Sequence, residues 1–269
     1  MPTQTPFATA RDFLMRGLLA GLVAGFAVFA VSYLAGEPYV DAAIAVEEGA
    51  AGGVHTHGAA AHPHSHGDEE ERAVVSRDNQ RTWGLLSASL TLSVTLGGLT
   101  GLAAAFAHGR LGRRLTAPQS TGVVASAGFF ALSLVPFLVY PANPPAVGDA
   151  ATIDVRTGAY FGLIALSLVG AAGAVVLGVR VAARISGFVG ALAGAAAYAI
   201  VIVVAALLLP GATPVGDFPA DILWGFRRAS LITQIALWGV LGFCLAGLTG
   251  RMDRQVQAEV ARRKLAALL

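Results

Sequence analysis

The sequence predicts an all-α polytopic membrane protein with about six transmembrane helices, paired as three helical hairpins, and a His-rich acidic outer loop. Three observations carry this. The chain of 269 residues is 55% hydrophobic and only 13% charged, with a mean hydropathy of +0.68, whereas soluble domains carry about 25% charged residues. Six stretches reach the length of about 20 mostly apolar residues that a spanning helix needs. The charges gather between those stretches, with opposite signs dominating on alternate sides.

The first helix is expected over about 13–35, behind Arg11 and Arg16. A signal peptide cleaved near Ala35-Gly36 is the alternative, but the apolar run exceeds a signal core of roughly 7–15 residues, so a retained span is expected. Gly17, Gly21 and Gly25 fall on one face and allow close helix contact. An outer loop follows over 37–82. The second helix, about 83–107, carries Ser87, Thr91 and Thr95 on one stripe, Ser89 and Ser93 on another, and Gly97 and Gly101 for packing. His108 and Arg110 mark its far interface. The third, about 121–140, is the shortest, and Pro136 should kink or loosen its outer end. The fourth, about 157–179, offers Gly158 and Gly162; the fifth, about 185–209, is apolar from Phe188 to Leu209 apart from Tyr198 and offers Gly190 and Gly194. The sixth, about 227–250, contains Thr233 and Gln234, and a buried amide needs partners. The tail 251–269 places Val256, Val260 and Leu265 among Arg and Lys, as a short amphipathic helix near anionic lipid would. The chain thus divides into 1–36 (N-terminus and first helix), 37–82 (outer loop), 83–250 (membrane domain) and 251–269 (basic tail).

Orientation follows from the positive-inside rule. The N-terminal segment, the 108–120 loop, the 180–184 turn and the tail hold 12 of the 18 basic residues but only 3 of the 16 acids, Asp12, Asp253 and Glu259. Both termini should face the cytoplasm, and the remaining acids should face outward and concentrate cations there. The hairpin reading rests on short repeats. Pro141 to Val147-Gly148-Asp149 resembles Pro210 to Val215-Gly216-Asp217, and Gly98-Leu99-Thr100-Gly101 matches Gly247-Leu248-Thr249-Gly250. Parallel hairpin repeats would read this way.

The chemistry concentrates in the first outer loop. His55, His57, His62, His64 and His66 are five of the six histidines, and Asp68, Glu69, Glu70 and Glu71 follow directly. Neutral imidazole suits divalent Co, Ni, Cu and Zn, and carboxylate adds anionic oxygen. His-x-His sets two imidazoles on one side of an extended segment, and Pro63 disfavours helix there. Such a tract reads as an adaptable, fast-exchanging metal site; a solvated polar linker is the bland alternative. Inside the membrane no acid, lysine or histidine lies deep in a span, which argues against a carboxylate proton relay. Gln234, Thr233, Ser87 and Thr91 are the candidate pathway residues. Cys244 cannot form an internal disulfide and reads as a packing residue. No GxxxxGK[ST], GxGxxG or His-Glu-x-x-His motif occurs, so an ATPase, a dinucleotide enzyme or a zinc protease is not expected, nor is nucleic-acid binding.

Six spans, a long first outer loop with clustered His-x-His, acids ahead of the histidines, and Pro- and Gly-rich outer loops after the third and fifth helices resemble the predicted cobalt transporter subunit family CbtA. The resemblance runs from Leu14 to Arg251. It implies a bacterial inner-membrane protein that imports Co2+ for cobalamin synthesis, here read as a permease subunit; with no catalytic constellation in the sequence, neither enzymatic activity nor an organic cofactor is expected. It also implies a small single-span, His-tailed companion, CbtB, and the five loop histidines as metal ligands. A nickel or zinc permease, and a non-transporting metal-binding scaffold or sensor, are the alternative readings.

Overall fold

The computed structural model describes residues 9–52, 76–111, 115–148 and 150–268. Among them the structure is helical, without strands, and six helices are long and apolar enough to cross a membrane. Helix α1 starts at Ala10, runs as α-helix to Val31, passes through a π-helical turn, Ser32–Gly36, and resumes over Glu37–Gly52. Helix α2, Arg77–Ala107, opens similarly with a π-helical turn at Gln80–Gly84. Helix α3, Ala117–Val139, contains a third at Phe130–Leu134. Helices α4 (Ile153–Arg184) and α5 (Gly187–Leu208) are uninterrupted, and α6 runs unbroken from Ala220 to Ala266.

Local chemistry accounts for these bounds. Thr9 caps α1 reciprocally: the Asp12 carboxylate accepts from the Thr9 N–H at 2.9 Å, and Thr9 Oγ1 accepts from the Asp12 N–H at 3.3 Å. Ser186 Oγ likewise accepts from the Val189 N–H at the start of α5. Two of the π-helical turns end two residues before a proline, Pro38 in α1 and Pro136 in α3. A proline ring clashes with the carbonyl one turn back and removes an N–H; a widened turn is one of the usual ways a helix absorbs that. The loosening expected at Pro136 therefore takes the form of a π-helical turn rather than a helix end.

Packing sorts the six helices into a four-helix bundle and an attached pair. Helix α1 lies between α2 and α6, α3 packs on α6 and closes the bundle against α2, and the α4–α5 pair joins through α4 and α3. The main core is Ala20, Ala24 and Val28 of α1 against Leu237, Trp238, Leu241 and Leu245 of α6, with Cys244 half-buried at its edge. Glycines bring α1 and α2 into backbone contact: a Cβ on Gly17 would lie 2.2 Å from the Gly97 carbonyl oxygen, and one on Gly21 2.3 Å from that of Ser93. The α4–α5 contact uses Gly190 and Gly194 against Gly178 and Ala174. The sequence had offered Gly158 and Gly162 for α4, but a Cβ added to either would meet no packing neighbour within 4 Å.

Three expectations change. The first helix does not stop near 35 but stays helical to Gly52, and the second begins at Arg77, so helix occupies both flanks of the segment read as loop. The tail is not a separate amphipathic helix; it continues α6 directly. Consecutive helices pack closely at α1–α2 and α4–α5, whereas α3 packs mainly on α6, and no close packing of α5 on α6 occurs among the described residues. Small residues explain the last point. Gly128 of α3 lies against the Trp238 ring, Gly242 of α6 against Ala125, and Gly250 against Pro118, while the glycine face of α5 is used up on α4. The repeated loop motif does share a backbone feature, since Gly148 and Gly216 both have positive φ, 123° and 57°.

The bundle has chemically distinct ends. Arg16, Arg110, Arg180, Arg184 and Arg251 lie toward the basic end, where His108 caps α2 with its ring 5.8 Å from that of Phe13. The opposite, acidic end carries the polar features described next. Between them, large apolar side chains such as Leu19, Phe26, Leu99, Phe161, Val169, Leu207 and Phe243 are exposed around the helices, as a surface facing hydrocarbon requires.

Candidate functional site

The nine residues singled out as metal ligands, His55, His57, His62, His64, His66, Asp68, Glu69, Glu70 and Glu71, lie outside the described residues. Among the described residues no group of three or more His, Cys, Asp or Glu side chains could hold a metal ion. What is described is the foundation of that segment. The helices on either side of it, the outer part of α1 and the first turns of α2, are joined by charge.

Glu37 and Asp41 stand one turn apart on α1, and Arg77 and Arg81 one turn apart on α2; residues spaced by four share a helix face. Arg77 donates through Nη2 to Glu37 and, at 2.8 Å, to Asp41 Oδ1, with Nε also on Asp41 at 3.1 Å. Arg81 approaches Asp41 at 3.9 Å and donates to the Tyr33 hydroxyl at 3.2 Å. Helix α6 joins through Arg228, which donates to the Tyr39 hydroxyl at 3.2 Å. Tyr39 packs directly on Gly225, where a Cβ would fall 2.0 Å from its ring. Two carboxylates and two guanidiniums thus meet, and their formal charges cancel. Glu37 is the most enclosed member, with 12% of its side chain exposed.

Beneath this cluster a cavity of about 230 Å³ opens between α1, α2 and α6. It is lined by Ser32, Glu37, Ser230, Thr233 and Gln234 among apolar neighbours. The space is large enough to hold several water molecules beside these polar groups. Ser32 and Thr233 hydroxyls lie 3.4 Å apart. Gln234 Oε1 accepts from Ser133 Oγ at 2.8 Å, and Ser133 Oγ in turn accepts from the Trp238 indole N–H at 2.8 Å. Ser32 and Ser133 both sit in π-helical turns, a distortion that recurs at functional sites.

Two of the four sequence-chosen pathway residues, Thr233 and Gln234, meet in this cavity. The other two do not join them. Ser87 and Thr91 are exposed on the flank of α2; the Ser87 hydroxyl donates to the Gly84 carbonyl of its own helix and borders a shallow surface hollow beside Trp83. The second serine stripe, Ser89 and Ser93, is the buried one, facing α1. Sequence reasoning did not pair Glu37 and Asp41 with Arg77 and Arg81. The matching four-residue spacings were the available signal, but a loop assignment for both segments hid it.

The remaining loops at this end are tied across the bundle. Tyr140 donates its hydroxyl to the Pro210 carbonyl at 2.6 Å. Arg156 donates to Thr213 Oγ1 at 3.2 Å, and Arg227 donates to the Ala142 carbonyl and to Asn143 Oδ1.

A family model described as a probable cobalt transporter subunit (CbtA) matches residues 10–250. No curated protein and no solved structure matches the chain.

Proposed function

We propose, from the premise that this chain belongs to the CbtA family of probable cobalt transporter subunits, that it is a membrane permease subunit for uptake of divalent cobalt. The observation that carries this reading is the cavity at the acidic end of the bundle, where Glu37, Ser32, Ser230, Thr233 and Gln234 meet among apolar neighbours. A carboxylate at the outer end of a span, opening onto hydroxyl and amide groups further in, is a natural entrance for an ion path.

In this reading the acidic end faces outward from a bacterial inner membrane and both termini are cytoplasmic, in keeping with the charge asymmetry. His55, His57, His62, His64 and His66, with Asp68 to Glu71, capture the ion. The segment carrying them leaves α1 after Gly52 and rejoins at Arg77, so captured metal is delivered beside Glu37 and Asp41. From there the ion enters the cavity, where Thr233 and Gln234 are its first contacts within the membrane. Ser87 and Thr91 have no part in this route. The word subunit in the family description agrees with a partner, for which a small single-span His-tailed chain is the proposal. Nickel and zinc would be accepted by the same donors, and the chain would perform no catalysis.

The test is uptake by purified protein in vesicles loaded with a cobalt-quenched dye, alone and with the companion subunit, under competition by nickel and zinc. Cobalt-dependent quenching that is abolished by Glu37→Ala supports the reading. Binding without quenching in both preparations would leave a scaffold or sensor instead.

A further inference from the structure

The geometry points to Trp238 and Ser133 as positioning residues that hold the Gln234 amide in a cation-refusing orientation, withholding its carbonyl oxygen from the cavity until the amide turns over. This rests on the permease reading. The indole N–H can only donate, and Trp238, buried in the core, spends it on Ser133 Oγ. Ser133 in turn directs its own proton to Gln234 Oε1, so the two bonds run head to tail. The carbonyl end of the amide is thereby drawn toward α3. The NH2 end is the polar group left for the cavity that Gln234 lines, and no hydrogen bond from Nε2 occurs among the described residues.

A cation needs oxygen lone pairs, directly or through waters whose hydrogens point outward and themselves need acceptors. An NH2 group supplies neither. The cavity in this conformation therefore offers Glu37 at its mouth, the Ser32, Ser230 and Thr233 hydroxyls on its walls and a donor at Gln234. Turning the amide over would present Oε1 to the ion and Nε2 to Ser133. With the indole bonded to Ser133, that exchange makes two donors converge on one hydroxyl oxygen and breaks a chain in which each bond polarises the next; without it, Ser133 accepts from Nε2 alone.

Two measurements decide. In a Trp83→Phe, Trp224→Phe background Trp238 is the sole indole, since the chain has three tryptophans, and ultraviolet resonance Raman reads its N–H hydrogen bond. Ser133→Ala should shift that band to the unbonded position. In dye-loaded vesicles Trp238→Phe should raise the initial Co2+ rate about fivefold, the factor for a net hydrogen bond of about 1 kcal/mol. Ser133→Ala, a smaller change to the core, should do the same. Gln234→Glu presents a carboxylate oxygen however it turns, so adding Trp238→Phe to it should give no further increase. An unshifted band in Ser133→Ala overturns the inference and leaves the permease reading intact. So does a shifted band with neither Trp238→Phe nor Ser133→Ala faster than wild type. Absence of flux in every protein, wild type included, overturns the permease reading and this inference with it.

Discussion

Replacing Arg77 by glutamine should make the cavity mouth bind cobalt more tightly. The guanidinium lies within hydrogen-bonding distance of both Glu37 and Asp41, so an arriving ion meets a tethered positive charge at about contact range. Two unit charges 4 Å apart interact by about 1 kcal/mol in water and about 4 kcal/mol at an effective dielectric of 20. Arg77 keeps 34% of its side chain exposed, so the lower figure applies. For a divalent ion the opposing energy is then about 2 kcal/mol, and its removal lowers half-saturating cobalt about thirtyfold. The assay is the initial dye-quenching rate against Co2+ concentration, in a background with the five loop histidines replaced by alanine so that loop capture does not intervene. Arg77→Lys restores the charge and should restore the wild-type midpoint. The shift should shrink as ionic strength rises, because the mouth is partly exposed. An unchanged or higher midpoint in Arg77→Gln, with flux intact, would refute the reasoning and reduce the cluster to a clip between two helices.

Other consequences can be checked on the same protein. Replacing His55, His57, His62, His64 and His66 together by alanine should cut cobalt accumulation in cells at limiting metal while leaving it near normal when cobalt is abundant. Cobalt binding to the wild-type protein, followed by titration calorimetry, should weaken below about pH 6, because unperturbed imidazole protonates near pKa 6.5 and its protonated form does not ligate. Gly97→Val should lower the yield of monodisperse protein in detergent, since even its Cβ would lie 2.3 Å from the Gly17 carbonyl oxygen and both partners are backbone; overpacking of this kind costs about 1–3 kcal/mol or more. Gly158→Ala, with nothing within 4 Å, should be neutral in the same chromatographic assay.

Hydropathy alone made the number and rough position of the spans legible, because apolar length is what a bilayer demands. It could not show where helix ends. Glu37-Pro38-Tyr39-Val40-Asp41 is polar and contains a proline, yet the widened turn before Pro38 lets the helix continue; apolarity and helicity part company there. The same holds for Arg251 to Ala266, where charge ends the membrane span but nothing breaks the helix. Thr233 and Gln234 could be chosen as interior groups since an amide in a span must find partners, and Ser133 is that partner. Ser87 and Thr91 could not be told from Ser89 and Ser93 by spacing, since both sets are stripes and only the position of α1 decides which is buried. The hairpin repeats were legible as loop motifs but not as packing, which depends on which glycine meets which ring.

Helix α6 gives the cavity a mechanical reach. At 1.5 Å per residue its 47 residues span about 70 Å, and about 48 Å of that lies between Gln234 and Ala266. An unbroken rod of that kind turns rotation into travel: tilting it by about 5° about the level of Gln234 sweeps its far tip sideways by about 4 Å, on the same length. A change too small to see among the cavity side chains would thus be magnified at Arg262, Arg263 and Lys264, where a spin label or a fluorophore could register it.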